Sequence, residues 1–200
     1  MAVRILVIIL LFVFTTFQIC TAIDKPNKKI IKESQIYGAS NYLVDLDDFL
    51  KPWASFEGEN VIITKNSEVS YLYTPFLLVA LDAREKTSKK EKITFEESNN
   101  MLKQYNEYFV FNTVFSDYDS DFLNNAKVFI EQGKSIFEIS QINVIDKEHY
   151  LNKESIDMYK INCYLYFQIE KLSLKEPIKL IIESEKSRTR YFHFNLAEIR

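Results

Sequence analysis

The sequence predicts a mainly β protein: an antiparallel β-sandwich, with the immunoglobulin-like layout as one form of it, and two helices placed before the main sheet. Three observations lead there. From Tyr108 onward the apolar residues recur with period 2 rather than 3.6, in about six short runs. No helix-period segment separates those runs, so their connections suit antiparallel pairing. Both segments with clear helical periodicity lie earlier in the chain. An α+β arrangement, with the helices on one face of an open antiparallel sheet, is the alternative.

Residues 1–22 read as a secretory signal peptide. Arg4 gives a basic start, Ile5 to Phe17 form the apolar run, and Cys20-Thr21-Ala22 supplies small residues before a cut after Ala22. The run is shorter than the roughly 20 apolar residues that a membrane-spanning helix needs. Lipid attachment at Cys20 is the other outcome, although Ile19 is bulky where a lipoprotein box has a small residue. No later segment is apolar enough to span, and the tail lacks the apolar extension of a glycolipid anchor. Cleavage removes Arg4 alone among the charges, so net charge moves from −3 to −4. That balance argues against a nucleic-acid partner, whose binders are distinctly basic. It also leaves Cys163 as the one cysteine, which excludes an internal disulfide. Stability then rests on an apolar core, for which the sequence's 16 Phe, three of them within residues 1–22, and 12 Tyr supply material.

Residues 23–34, IDKPNKKIIKES, are polar and lysine-rich and read as a flexible leader; residues 35–200 read as a single globular domain. Tyr42, Leu43, Leu46, Phe49 and Leu50 recur at near-helical spacing, and Pro52 would end such a helix. Val61 to Thr64 is a β-branched run that predicts a first strand, with Ser70 to Tyr73 to extend or pair with it. Thr74-Pro75 marks a helix start, because Thr caps well and Pro loses nothing at the first helical position. Phe76, Val79, Ala80 and Ala83 give the buried stripe of a helix over 75–88. Thr94 and Glu97 form a capping box for a second helix over 95–104, with Phe95, Leu102 and Tyr105 as its stripe.

Tyr108 to Phe115 is apolar on both faces, as a central strand is. Ala126 to Glu131 and Ser135 to Ile142 flank Gln132-Gly133-Lys134, where Gly133 allows a hairpin turn. Val144 to Met158 is charged and reads as a long loop. Tyr159 to Ile169 puts Ile161, Cys163, Leu165 and Phe167 on one face. Ile178, Leu180 and Ile182 mark the next strand, residues 186–188 a turn, and Phe192, Phe194 and Leu196 the inward side of the last strand.

Chemistry is sparse. Asp117, Asp119 and Asp121 alternate in SDYDSDF, a spacing that can converge on calcium, and they are the candidate metal ligands. The segment is no EF-hand, since Phe122 and Val128 stand where Gly and the bidentate Glu belong; an acidic turn explains it equally. Asp45, Asp47 and Asp48 form a weaker acidic group. Cys163 and His193 fall on opposite sides of their strands, which argues against a thiol–imidazole dyad. Two His and three Gly leave no zinc pattern and no phosphate-cradling loop, and no cofactor is implied. The lysine runs 86–92 and 28–29 read as a solvated helix end and leader. Tyr164 and Tyr166 offer an aromatic stripe for a sugar or a protein, or pack under the helices. The expectation is a secreted or periplasmic, non-enzymatic domain that binds an envelope or extracellular protein or glycan. A secreted hydrolase with paired carboxylates and a calcium-dependent module are the alternatives.

Overall fold

A computed structural model describes residues 27–58, 67–105, 107–168, 172–185 and 187–199. The signal peptide expected at residues 1–22 and the strand expected at Val61 to Thr64 lie outside these residues. The period-2 runs become strands of two antiparallel sheets. The first sheet has the order β1-β2-β3-β7-β6 and the second β5-β4-β8-β9. Their ranges are β1 Ala54–Phe56, β2 Val69–Tyr73, β3 Tyr108–Asp117, β4 Lys127–Gln132, β5 Ser135–Glu138, β6 Gln141–Leu151, β7 Asp157–Gln168, β8 Ile178–Glu183 and β9 Arg190–Phe194. The alternative of a single open sheet is therefore not what forms.

Parity places the core between the sheets. Phe109, Phe111 and Phe115 of β3 share one face with Ile161, Cys163, Leu165 and Phe167 of β7, and all are buried. Phe192 and Phe194 meet them from β9, with Phe111 and Phe194 ring centroids 5.2 Å apart and Phe115 and Phe192 6.2 Å apart. Gly133 adopts φ +59° in the turn between β4 and β5, where Gln132 pairs with Ser135. On one side the sheets are joined where the Ser55 hydroxyl of β1 accepts the His193 N–H of β9 at 2.8 Å. That bond occupies a donor which an edge strand would otherwise leave open.

Residues 141–158, expected as a loop from Val144 onward, instead form edge strand β6, a short turn over 152–156 and the start of β7. They pair from Gln141↔Tyr166 to Leu151↔Asp157, with a bulge between Val144 and Asp146. Nearly every β6 side chain is exposed, so the strand needs no apolar face. Charges and a bulge on an edge are the usual guard against pairing with other chains.

Among the described residues four α-helices accompany the sheets: α1 Lys28–Ser40, α2 Leu46–Leu50, α3 Pro75–Ser88 and α4 Phe95–Tyr105. The expected leader is thus helical from Lys28, capped by the Asn27 side chain, which accepts from Lys29 and Ile30 N–H at 3.0 Å. Its buried stripe is Ile30, Ile31, Ser34 and Gly38, and it packs on α3. Of the helix whose spacing runs from Tyr42 to Leu50, only Leu46–Leu50 is α-helical. Phe49 and Leu50 are buried, while Leu43 is 82% exposed. The Thr74 hydroxyl accepts the Leu77 N–H and Pro75 opens α3, as the sequence predicts. Thr94 caps α4 by accepting the Glu97 N–H at 3.3 Å. The α4 stripe differs from expectation: Phe95 is exposed and Ser98 is buried, bonded to Gln35 of α1. Tyr37, Phe49, Trp53 and Phe76 form one aromatic group joining three helices and the turn after α2.

Candidate functional site

Two polar arrangements stand out, one buried and one on a sheet face. The buried one centres on Arg190, which is 1% exposed. Its Nε donates to both Glu68 oxygens at 3.0 Å, and its Nη2 to Asp117 Oδ2 at 2.6 Å and to the Ser116 carbonyl at 3.1 Å. Its Nη1 donates to Ser187 Oγ at 3.0 Å and the Arg188 carbonyl at 3.1 Å. All five guanidinium N–H groups are therefore engaged. The guanidinium carbon also lies 4.6 Å from the Phe122 ring centroid and 5.6 Å from that of Phe115. Glu68 further accepts the Ser116 N–H at 2.9 Å, and Arg188 bridges Glu68 to Glu57.

This cluster draws in the first of the three sequence-predicted metal ligands. Burial pushes the Asp117 carboxyl toward a higher pKa, but hydrogen bonds from Ser187, the Asp119 N–H and Arg190 outweigh it and hold it below the ordinary value. Asp119 Oδ1 accepts the Asp121 N–H at 2.8 Å. Asp121 pairs with Lys147 at 2.5 Å, and that hydrogen bond lowers its pKa. The three carboxylates thus face three different partners rather than one point. Among the described residues no three His, Cys, Asp or Glu side chains are grouped to hold a metal ion. Glu68 and Asp117 are two acids that converge, as a hydrolase requires, but Arg190 lies between them and pairs with both, and Arg188 is a second cation on Glu68. Asp45 serves as the cap of α2 by accepting the Asp47 N–H at 3.0 Å.

Cys163 is fully buried and free, and burial pushes its thiol up to about 12. His193 is exposed on the opposite side of β9, so the dyad is not assembled. Two lysines of the run 86–92 are paired: Lys86 with Asp82 and Glu97, Lys89 with Glu85.

The second arrangement is the outer face of the five-stranded sheet, and register maps it. Tyr73, Val110, Tyr166 and Gln141 form one row across β2, β3, β7 and β6; Tyr71, Asn112, Tyr164 and Asn143 form the next. Paired residues point to the same face, so phenols alternate with carboxamides in the second row and with Val110 and Gln141 in the first. Tyr73 meets Tyr164 edge-on with centroids 5.7 Å apart, Tyr108 meets Tyr166 at 6.1 Å, and Tyr164 lies 6.3 Å from Tyr166. Asn112 Nδ2 donates to Asn162 Oδ1 at 2.8 Å. Burial raises the Tyr73 hydroxyl pKa, helped by its hydrogen bond with Tyr164. Toward β2 the face is covered: Tyr71 is buried and feels the Asp47 charge of α2. Toward β7 and β6 it opens, with Tyr164 and Tyr166 half-buried and Asn143 and Gln141 exposed. The alternation of Tyr164 and Tyr166 is visible in the sequence; their union with Tyr73 and Tyr108 needs the strand register.

No family model matches this chain, and no curated protein or solved structure matches it significantly. Among the described residues no helix is long and apolar enough to cross a membrane.

Proposed function

We propose that this chain works outside the cytoplasm as a non-enzymatic binding domain that engages an envelope or extracellular component through the outer face of its five-stranded sheet. The observation that carries this reading is the connected tyrosine and carboxamide surface over β3, β7 and β6. Such residues supply rigid contact area and adaptable hydrogen bonds, the combination found in binding surfaces elsewhere. The export layout of residues 1–22 supports the location. An immunoglobulin-like layout belongs to the same reading. Its support is the five-plus-four division of strands, with the chain crossing between sheets from β3 to β4, β5 to β6 and β7 to β8.

The test expresses the full chain in an exporting host. Mass spectrometry of the extracytoplasmic fraction should find a chain beginning at Ile23. That product should bind intact envelopes, and Tyr164→Ala should weaken the binding. An uncleaved cytosolic product with no affinity for envelopes would overturn the reading.

A further inference from the structure

The open part of the sheet face has a chemistry narrower than binding in general. It presents the phenols Tyr108, Tyr164 and Tyr166 beside the carboxamides Gln141, Asn143 and Asn162. None of these six carries a charge. Charged side chains begin in the row of Asn162 itself, whose β6 partner is Asp146, and continue in the next row with the pair Glu148 and Lys160. From strand spacing and rise the uncharged rows of Tyr164 and Tyr166 span roughly 10 Å across β3, β7 and β6 and about 7 Å along β7. Val110, an aliphatic residue within these rows, is 3% exposed and sealed among the strands and rings.

Resting on the binding reading above, we propose that this face holds a neutral oligosaccharide segment of an envelope or extracellular polysaccharide. A pyranose ring offers an apolar C–H face that stacks on a phenol and a rim of hydroxyls that both donate and accept. Carboxamides answer those hydroxyls in both senses, because each carries an acceptor oxygen and two donor hydrogens. An anionic polymer would need Lys or Arg on the face, and none stands among these six residues. A protein partner typically seats apolar anchors in a desolvated centre, whereas the aliphatic residue of these rows, Val110, is buried and the face offers phenols and amides. Charge complementarity therefore selects an uncharged ligand, and the pairing of ring faces with amides selects a sugar.

The experiment is affinity electrophoresis of the full chain in gels containing galactomannan, hydroxyethylcellulose or dextran, with alginate as the anionic comparison. At least one neutral polymer should retard the protein. Tyr164→Ala and Tyr166→Ala should each weaken retardation about tenfold, as tyrosine anchors commonly do. Tyr166→Phe, which keeps the ring, and Tyr118→Ala, on an exposed tyrosine elsewhere, should change it little. Circular dichroism confirms that each variant is folded. Retardation by alginate alone, or equal loss in Tyr118→Ala, overturns the proposal. If no neutral polymer retards the protein while Tyr164→Ala still weakens envelope binding, the ligand class falls and the binding reading stands. If the wild-type chain does not bind envelopes at all, the binding reading falls with it.

Discussion

Gly38 of α1 lies against the Ala80 carbonyl of α3 so closely that a Cβ at position 38 would sit 2.0 Å from that oxygen. The contact is backbone against backbone, so no side-chain rotation relieves it. Gly38→Ala gains about 1 kcal/mol in helix propensity. Against that, overpacking a tight interface costs about 1–3 kcal/mol and occasionally more, and here the two helices must separate. The net expectation is a loss of about 2 kcal/mol, read as a lower denaturation midpoint with an unchanged m-value.

The same contact explains why α1 is hard to see in the sequence. Its buried stripe is Ile30, Ile31, Ser34 and Gly38, and the last two are small rather than apolar. They serve close approach to α3, and a search for hydrophobic periodicity passes over them. β6 escapes for the opposite reason: an edge strand exposed on both faces has no apolar side to alternate. β3, β7, β8 and β9 were legible because each buries at least one full face in the core. The Glu68–Arg190 pair, 122 residues apart, has no local signature at all, and the same holds for the meeting of Tyr73 with Tyr164.

Removing Arg190 should cost far more than removing a surface charge. Arg190→Ala leaves Asp117 buried without its cation and Glu68 with Arg188 alone, and breaking a buried pair in this way costs about 3–5 kcal/mol. The loss should depend on pH. In the wild type the Asp117 pKa is depressed. Its contribution is therefore present above the unfolded value of about 3.9 and lost as pH falls through the lower folded value. In the variant the same carboxyl is buried and unpaired, and protonation relieves it. The stability gap between wild type and variant should therefore narrow from pH 7 to pH 4 in urea titrations. A gap independent of pH would show that lost packing on Phe115 and Phe122, not charge, dominates.

Cys163 should be silent in the folded protein. Its thiol is fully buried with a pKa near 12, and the thiolate is the reactive form. At pH 8 a disulfide reagent should label it only as fast as the chain unfolds. The raised value also means that stability is complete below the unfolded thiol pKa of about 8.5 and declines as pH rises toward 12. Melting should follow one cooperative transition and be indifferent to reductant, because core residues from Phe49 to Ile199 belong to one cluster. Fast labelling in the native state would contradict the buried placement.

Calcium offers a direct check on the acidic turn. A site with millimolar affinity, at five times its Kd, would add about 1 kcal/mol and raise the melting temperature by about 2–4 °C. With Asp117 committed to Arg190 and Asp121 to Lys147, the expected shift in millimolar calcium is none. A clear rise that disappears in Asp119→Asn would mean that the turn rearranges to bind the ion.

The β4–β5 turn separates conformational strain from steric crowding. Gly133 has φ +59°, and a Cβ built there meets nothing within 4 Å. Gly133→Ala therefore costs only what an L-residue loses in the left-handed region, about 1–2 kcal/mol. Asn tolerates that region better, so Gly133→Asn should recover most of the loss. At Gly38, where the obstacle is the Ala80 carbonyl, Asn should be worse than Ala. Parallel unfolding curves for the four variants test this: rank order Asn above Ala at 133 and Ala above Asn at 38. The same order at both positions would mean that one of the two glycines is kept for a reason other than the one its geometry gives.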